Sequence, residues 1–289
     1  MKTSVKLLLI SLLLASIGLG YYTYQKNVSL GSEVLKIDAN QTLNIYSKQA
    51  MLQKVNGETI FEKGADEKIK PASLAKIMTA ILAIENLPDL QQEMMTDGER
   101  INWLYSEEAS VAGFLPNVPV TVEELLFGLM LPSGADAAVS LSKAVSGSDE
   151  AFTEVMNQKA KELNMTQTHF TNSYGTESAE QYSTVSDLAK LLQHALQNDT
   201  FYRVFTTPYY NGKNYSFESS LFKKLGSPDL KKGRIVGGKT GYTDEAGLCL
   251  ATIAEIDGKE YLLITVGAKG NHDSKQFNMI DAKNIYNSL

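Results

Sequence analysis

The chain has 289 residues, of which 43% are hydrophobic and 21% are charged, and its formal net charge is −6 at pH 7. This composition is typical of a globular protein with one large or two modest domains. Because lysine and arginine form no basic run or stripe, the sequence argues against a nucleic-acid partner. The single cysteine, Cys249, lies in an apolar run and is interpreted as a core residue.

The N-terminus predicts an exported protein. Lys2 and Lys6 precede an uncharged, largely apolar stretch over 7–22, the pattern of a secretory signal or of a short membrane anchor. No clean small-x-small cleavage site precedes Tyr21 and Tyr22, which favours an uncleaved anchor. We assign 1–24 to a membrane anchor or signal segment, 25–42 to a tether, and 43–289 to a domain outside the cytoplasmic membrane.

The first part of this domain predicts a hairpin followed by a helix. Two strand-like runs, 50–55 and 58–61, flank Asn56-Gly57, a pair that suits a two-residue turn with positive φ at both positions. After Pro71, apolar residues recur at the spacing of an amphipathic helix that ends before Pro88. Ser73 is therefore expected in the first turn of that helix.

The middle of the chain is predicted to be helical. The segment 121–124 has the spacing of a capping box and opens a helix to about residue 130. A break at Pro132-Ser133-Gly134 follows, and helices are then expected over 136–145, from about 149, and over 185–196.

The last part of the chain predicts a return to strands. The runs 235–242, 248–256 and 261–268 are strand-like, with Asp257-Gly258 joining the last two, and a helix is expected within 274–289. Strands at both ends can complete one antiparallel sheet, so the fold class is α+β with a helical second lobe. A cleft between the sheet and that lobe is the expected ligand site.

Ser73 and Lys76 carry the strongest chemical signal. Residues three apart on a helix are neighbours on one face, so the Lys76 amine can reach the Ser73 hydroxyl and act as its base if the lysine pKa is lowered. The same S-x-x-K pattern occurs at Ser140-Lys143 and Ser220-Lys223. These two pairs are interpreted as solvated side chains, because neither stands at a predicted helix start with other motifs.

Three short motifs stand in order along the chain: Ser73-Leu74-Ala75-Lys76, Ser133-Gly134-Ala135 and Lys239-Thr240-Gly241. In this order they match the S-x-x-K, S-x-N and K-T-G motifs of penicillin-binding proteins and serine β-lactamases, with Ala135 in place of asparagine. The three motifs in this order indicate that group of proteins far more specifically than any one motif alone.

Longer segments narrow the resemblance. The stretches 152–174, 182–189 and 239–247 resemble the D-alanyl-D-alanine carboxypeptidase family of low-molecular-weight penicillin-binding proteins, and the likeness covers about 43–268. It implies a β-lactamase/transpeptidase-like fold, in which an antiparallel sheet flanked by helices meets a helical lobe and the active site lies in the cleft between them.

The resemblance also implies roles for the motif residues. Ser73 would be the nucleophile that forms the acyl-enzyme, Lys76 its general base, and Ser133 a proton relay to the leaving amino group. Lys239 and Thr240, with Gly241, would bind the carboxylate of the terminal D-alanine. The peptide N–H groups of Ser73 and Tyr242 would form the oxyanion hole, and Lys239 would keep Lys76 neutral before the reaction.

The activity implied is a serine-type carboxypeptidase that removes the terminal D-alanine from peptidoglycan stem pentapeptides, without a cofactor or a metal. The implied partners are stem peptides ending in D-Ala-D-Ala, β-lactam antibiotics as covalent inhibitors, and the cell membrane through the N-terminal segment. Nucleic acid is not among them.

Two residues depart from the family pattern. Ala135 replaces an asparagine that in the family contacts the motif lysine and the substrate amide, and alanine cannot make either hydrogen bond. Peptide turnover is therefore expected to be slow or its selectivity changed. Gln181 stands where relatives often have histidine, and the sequence offers no account of that change.

Three other functions fit the sequence less well. A serine β-lactamase would need a glutamate in an E-x-x-L-N segment. The most similar segment here, Glu162-Leu163-Asn164, has the wrong spacing and fits a helix end. A peptidoglycan-binding surface protein with low activity is favoured only by Ala135. A Ser-His-Asp hydrolase is disfavoured, since His169, His194 and His272 stand in helical or loop contexts without a nucleophile elbow.

Overall fold

One antiparallel sheet joins the two ends of the described chain. The computed structural model describes residues 43–106 and 109–289. Six strands form the main sheet in the order β2-β1-β10-β9-β8-β7, so the first hairpin pairs directly with the last strand. These strands are β1 (Gln49–Lys54), β2 (Thr59–Lys63), β7 (Asp229–Leu230), β8 (Gly233–Thr243), β9 (Gly247–Ile256) and β10 (Lys259–Ala268).

Helices cover the sheet and fill the middle of the chain. They are α1 (Lys76–Asn86), α2 (Gly98–Ser106), α3 (Val122–Met130), α4 (Ala135–Ser146), α5 (Asp149–Glu162), α6 (Val185–Ala195), α7 (Asp199–Thr206), α8 (Ser220–Leu225) and α9 (Phe277–Tyr286). Two small hairpins add β3 (Glu93–Met95) with β4 (Pro119–Thr121), and β5 (Tyr209–Asn211) with β6 (Ser216–Glu218).

Most sequence predictions of these elements are confirmed. The capping box of α3 is complete, because the Thr121 hydroxyl accepts the Glu124 N–H and the Glu124 carboxylate accepts the Thr121 N–H. The β9–β10 turn has positive φ at both Asp257 and Gly258, as a two-residue hairpin turn requires.

The turn of the first hairpin differs from the prediction. Gly57 has φ of +95°, but Asn56 is not among the described residues with positive φ. The Gly57 N–H donates to the Lys54 carbonyl, and the Lys54 N–H donates to the Glu58 carbonyl, both at 2.9 Å. The loop therefore has three residues, and only its glycine needs a left-handed conformation.

The short elements α2, α7, α8 and both small hairpins were not predicted. The helices among them have nine, eight and six residues, too few for a clear period. Their omission matters for the site, because α7 and α8 both pack against β8.

The central helix α1 is buried on all sides rather than on one face. Every residue over 76–84 is buried, because α1 packs against α3, α4, α5, α6 and α7. The 3-10 turn before it (Ala72–Ala75) packs against β8 and β9 instead. This turn therefore lies at the junction of the helical lobe and the sheet.

The predicted anchor and tether, 1–24 and 25–42, lie outside the described residues. Within the part of the chain that the structure describes, each helix is too short or too polar to cross a membrane. Cys249 is fully buried on β9, which confirms its interpretation as a core residue.

Candidate active site

Ser73 and Lys76 meet at the junction of the two lobes. Ser73 was expected in the first turn of the α-helix, but it lies in the 3-10 turn that precedes it. Lys76 is the first residue of α1, so the α-helix starts about one turn later than expected. The Lys76 Nζ is 3.1 Å from the Ser73 Oγ. In a 3-10 turn, side chains three residues apart lie one above the other, so Ser73 and Lys76 still share one face.

The environment of Lys76 favours a neutral amine. Its side chain is 2% exposed, and burial lowers the pKa of Lys76 to about 7, against a smaller opposing effect of the Asp136 carboxylate. The amine also donates to the Tyr174 carbonyl at 2.5 Å. A neutral amine held in this way has a lone pair that can accept the Ser73 proton.

Gly175 lets the turn that carries the Tyr174 carbonyl approach the nucleophile. Its φ is +87°, and a Cβ at this position would lie 2.0 Å from the Ala72 carbonyl oxygen. Ala72 itself has φ of +48°. A left-handed conformation at a residue with a Cβ stores strain, so the backbone at Ala72 is strained beside Ser73, whereas Gly175 adopts its positive φ without steric cost.

Ser133 lies in the break between α3 and α4, as predicted. Its φ is +72°, an uncommon conformation for serine. The Ser133 side chain is mostly buried, and its Oγ accepts a hydrogen bond from the Lys239 Nζ at 2.7 Å. The loop between the helices is therefore connected directly to strand β8.

Lys239 is fully buried on β8. Its amine donates to the Ser133 Oγ and, at 2.7 Å, to the Thr240 carbonyl. Burial lowers the pKa of Lys239 well below its usual value, and the positive charge of Lys76 lowers it further. Two buried lysines this close cannot both hold a proton easily. The expectation was that Lys239 keeps Lys76 neutral, whereas in this structure the charge of Lys76 disfavours a proton on Lys239, and burial is what lowers the pKa of Lys76.

Strand β8 passes beside Ser73 with the residues that follow Lys239, which are Thr240, Gly241 and Tyr242. A Cβ at Gly241 would lie 3.2 Å from the Ser73 backbone nitrogen, so the two backbones approach closely at this point. This approach brings the Ser73 N–H beside the strand that carries the Tyr242 N–H, the two groups predicted to form an oxyanion hole.

A cavity of about 210 Å³ opens beside these residues. Lys76 and Lys239 are buried beside it rather than among its lining residues. The predicted residues that line it are Ser73, Ser133, Thr240, Gly241 and Tyr242, and they are joined by Ser110, Pro132, Ser220, Lys224, Leu248, His272, Gln276 and Asn278.

Two of the added residues have contacts that the sequence did not reveal. Ser220 is not a solvated serine, because its Oγ is 2.6 Å from the Thr240 Oγ1 and it lines the cavity. His272 is at the cavity wall with its ring against Tyr242, at 5.1 Å between centroids. The S-x-x-K pattern pointed to Ser220, but only the position of α8 beside β8 reveals its contact.

The other two S-x-x-K pairs have no nucleophile–base geometry. Ser140 is not solvated, as the sequence suggested, but buried, and its hydroxyl donates to the Asp136 carbonyl and accepts the Asp97 N–H. The Lys143 Nζ is paired with Asp97 at 3.3 Å. On α8, the Lys223 Nζ lies 3.8 Å from a Glu218 carboxylate oxygen. Each lysine therefore points to an acidic partner rather than to its serine.

Ala135 is almost fully buried at the start of α4, and its backbone N–H donates to the Ser110 carbonyl at 2.8 Å. The next residue, Asp136, is fully buried and its carboxylate accepts the N–H groups of Ala112, Gly113 and Phe114. The loop at the cavity wall is thus fixed through its backbone, while the Ala135 methyl group offers no hydrogen bond to Lys76 or to a substrate.

The structure gives an account of Gln181. This buried side chain accepts the Thr171 N–H at 3.0 Å and donates to the Thr176 carbonyl at 2.8 Å. It therefore holds the two ends of the 171–176 turn together. The Tyr174 carbonyl in that turn accepts a hydrogen bond from Lys76. Gln181 therefore helps to position Lys76 indirectly, by holding the turn in place.

Glu162 has the position of a helix end rather than of a catalytic base. It is the last residue of α5, it is exposed, and its carboxylate accepts a hydrogen bond from Gln158. Asn164 follows with φ of +54°, as at many helix ends. Among the described residues that line the cavity, there is no carboxylate.

The chain is similar to known proteins in both sequence and fold. A sequence profile described as D-alanyl-D-alanine carboxypeptidase matches residues 36–270. The chain is 33% identical to the D-alanyl-D-alanine carboxypeptidase DacF of Bacillus subtilis over 75% of this chain and 56% of that protein. It is 34% identical to a D-alanyl-D-alanine carboxypeptidase of a Streptomyces strain, over 70% of this chain and 74% of the relative.

The fold has a solved counterpart. The crystal structure of the Streptomyces K15 DD-transpeptidase superposes with a TM-score of 0.77 at 27% identity, covering 86% of this chain and 98% of that one. The predicted α+β, transpeptidase-like fold is thereby confirmed. The chain spans just over half the length of DacF, by contrast. Since the profile match covers most of the chain, from before β1 to beyond β10, the chain belongs to the D-alanyl-D-alanine carboxypeptidase family.

Proposed function

We propose that the chain is a serine-type D-Ala-D-Ala carboxypeptidase, which removes the terminal D-alanine of peptidoglycan stem peptides through an acyl-enzyme on Ser73. One observation carries the proposal: the Ser73 hydroxyl lies 3.1 Å from a buried lysine amine whose pKa is lowered to about 7. This is the geometry of an activated nucleophile, and it opens on a cavity lined by Thr240 and Ser133.

In the acylation step, Lys76 accepts the hydroxyl proton as the Ser73 Oγ attacks the carbonyl carbon of the penultimate D-alanine. The negative charge that develops on the carbonyl oxygen is stabilised by the N–H groups of Ser73 and Tyr242. Collapse of this intermediate breaks the C–N bond, and the Ser133 hydroxyl gives its proton to the leaving amine and takes up in its place the proton that Lys76 had accepted. Water then attacks the ester, and D-alanine and the shortened peptide are the products.

Lys239 and Thr240 are proposed to hold the terminal carboxylate. Before substrate binds, burial and the charge of Lys76 both disfavour a proton on Lys239. A carboxylate in the cavity reverses this, because a nearby negative charge favours the charged form of an amine. Substrate binding would thus charge Lys239 and help to keep Lys76 neutral.

Strand β8 offers a surface along which a stem peptide can bind. β9 pairs with it over its length, but among the described strands only β7 pairs with its other side, at Gly233 and Arg234. An extended peptide can add to such an edge through backbone hydrogen bonds. A carboxylate at Thr240 would then direct the preceding residues towards Tyr242.

The proposal is tested by incubating the purified domain with a pentapeptide that ends in D-Ala-D-Ala and following both products by mass spectrometry. Release of one D-alanine and a mass increase of the protein that maps to Ser73 are expected. A domain that binds the peptide but forms no adduct and releases no D-alanine would instead be a binding protein. Rapid hydrolysis of a chromogenic cephalosporin would favour a β-lactamase.

The N-terminal segment is proposed to hold this domain at the outer face of the cytoplasmic membrane. The proposal is supported by Lys2 and Lys6 ahead of the apolar stretch 7–22. Finding the full-length chain in the cytosolic fraction with its N-terminus intact would contradict it.

We predict that Ala135→Asn raises peptide turnover more than it raises the rate of acylation by penicillin. A flexible peptide depends on an amide contact for its position, whereas a strained β-lactam carries a reactive, preset carbonyl. D-Alanine release and penicillin labelling rates are measured side by side on both proteins. Unchanged or lower peptide turnover would mean that another group already positions the substrate.

A further inference from the structure

A second cavity borders the candidate active site. Its volume is about 440 Å³, and it lies between α8, the loop 271–276 and α9. Lys224, His272 and Gln276 line both this cavity and the one beside Ser73. A ligand in the active site can therefore extend towards the second cavity.

The second cavity is strongly cationic. Its lining includes three lysines and three apolar residues: Lys224, Lys275, Lys283, Leu225, Met279 and Ile280. We call this cavity the lysine pocket. No carboxylate is among its lining residues, and across 43–106 and 109–289 none of the three lysines forms an ion pair. On a chain with a net charge of −6, this is a local excess of positive charge.

The residues shared by the two cavities are held in place by hydrogen bonds. The Gln276 amide donates to the Asn271 carbonyl at 3.1 Å and to the Ser274 carbonyl at 2.7 Å. The Lys224 Nζ donates to the His272 carbonyl at 3.0 Å, which ties the loop to α8. The lysine pocket is therefore formed before any ligand binds, so little ordering is needed when one does.

The lysine pocket lies on the side of the active site that would hold the terminal carboxylate. Lys224 is one helical turn beyond Ser220, whose Oγ contacts the Thr240 Oγ1. The pKa of His272 is held below its usual range by burial and by the charges of Lys224 and Lys239, with Asp273 acting in the opposite direction. On this side of the active site the positive charge therefore comes from Lys224, beside a His272 ring that favours its neutral form.

We propose that the lysine pocket binds the side chain of the C-terminal residue that leaves during hydrolysis, and that it favours an anionic side chain such as that of D-glutamate. This specificity rests on the proposed function. The methylene groups of such a residue would contact the apolar lining residues of the pocket, and its second carboxylate would form ion pairs with the lysines. The chemistry is unchanged: the C–N bond breaks, the amine gains a proton, and D-glutamate leaves in place of D-alanine.

The test compares peptides that end in D-Ala-D-Glu and D-Ala-D-Gln, which have nearly the same size and differ in charge. We expect kcat/KM to be about tenfold higher for the D-Glu peptide at low salt, chiefly through KM, with the advantage decreasing as salt is added. In a Lys275→Gln/Lys283→Gln variant the ratio should fall towards one, while kcat/KM for D-Ala-D-Ala stays unchanged. Lys161→Gln, at an exposed lysine of α5, is the matched control.

A D-Glu ratio of one or less in the unchanged protein would overturn the inference, and so would an advantage that survives both lysine substitutions. Binding of the same two peptides to Ser73→Ala, measured by calorimetry, separates this inference from the proposed function because it needs no turnover. Tighter binding of the D-Glu peptide supports the lysine pocket even where no residue is released. Equal binding overturns it.

Discussion

The Ser73→Ala variant is expected to lose covalent labelling by penicillin completely. The acyl bond forms to the Ser73 Oγ, and Lys76 has no other hydroxyl at hydrogen-bond distance among the described residues. Alanine keeps the backbone N–H that borders Gly241, so the substitution removes the nucleophile and leaves the oxyanion site. Fluorescent penicillin on a denaturing gel, together with the intact protein mass, measures the result.

Two matched serines serve as controls for that experiment. Ser140→Ala and Ser220→Ala should still become labelled, because neither serine has a lysine amine beside its hydroxyl. Ser220→Ala is the stricter control, since Ser220 lines the same cavity and contacts Thr240. Labelling that survives in Ser73→Ala, or that disappears in Ser220→Ala alone, would contradict the assignment of the nucleophile.

The second large effect is expected for Lys76→Ala, which should slow acylation by a factor on the order of 10² to 10⁴ through loss of the general base. In the unchanged protein, Lys76 acts as a base only when neutral. Its pKa of about 7 means that the neutral fraction increases as pH rises through 7. The rate of penicillin acylation should therefore rise between about pH 6 and pH 8 and then level off, and this limb should vanish in the variant.

Lys143→Ala is the control for this base, because Lys143 occupies the same place in an S-x-x-K pattern but is half-exposed and paired with Asp97. Its acylation rate and pH profile should match those of the unchanged protein. Stopped-flow or quenched labelling across pH 5–9 gives both quantities. A Lys76→Ala variant that keeps its rate within a few-fold would show that another group takes the proton.

The long elements could be predicted from sequence because their signals are local. The capping box at Thr121 and the turn at Asp257-Gly258 each depend on residues adjacent in the chain. The three-residue turn at Gly57 was missed because the same Asn-Gly pair suits two kinds of hairpin. The full burial of α1 could not be read from its period, because it depends on which helices surround it.

The candidate site also contains residues that the sequence predicts and residues that only the packing reveals. Its motif residues could be named because their chemistry is restrictive, and the structure brings Ser73, Ser133 and Thr240 to one cavity. Ser220 and His272 were missed, because a serine on a short helix and a histidine in a loop have ordinary surroundings in sequence. Only the packing of α8 and the 271–276 loop beside β8 brings them to the cavity wall.

The strand order has a consequence for the order of folding. β1 pairs with β10, so that Gln49 lies opposite Val266, and the hairpin at the start of the domain has its sheet neighbour only after nearly the whole chain has been synthesised. Contacts between such distant residues form late and slow the folding reaction. Until β10 is available, the first hairpin has an unpaired strand edge, and this edge can pair with strands of other chains and cause aggregation. Since Ser73, Ser133 and Lys239 come from three distant parts of the chain, reactivity with penicillin can be used to time the final step of folding.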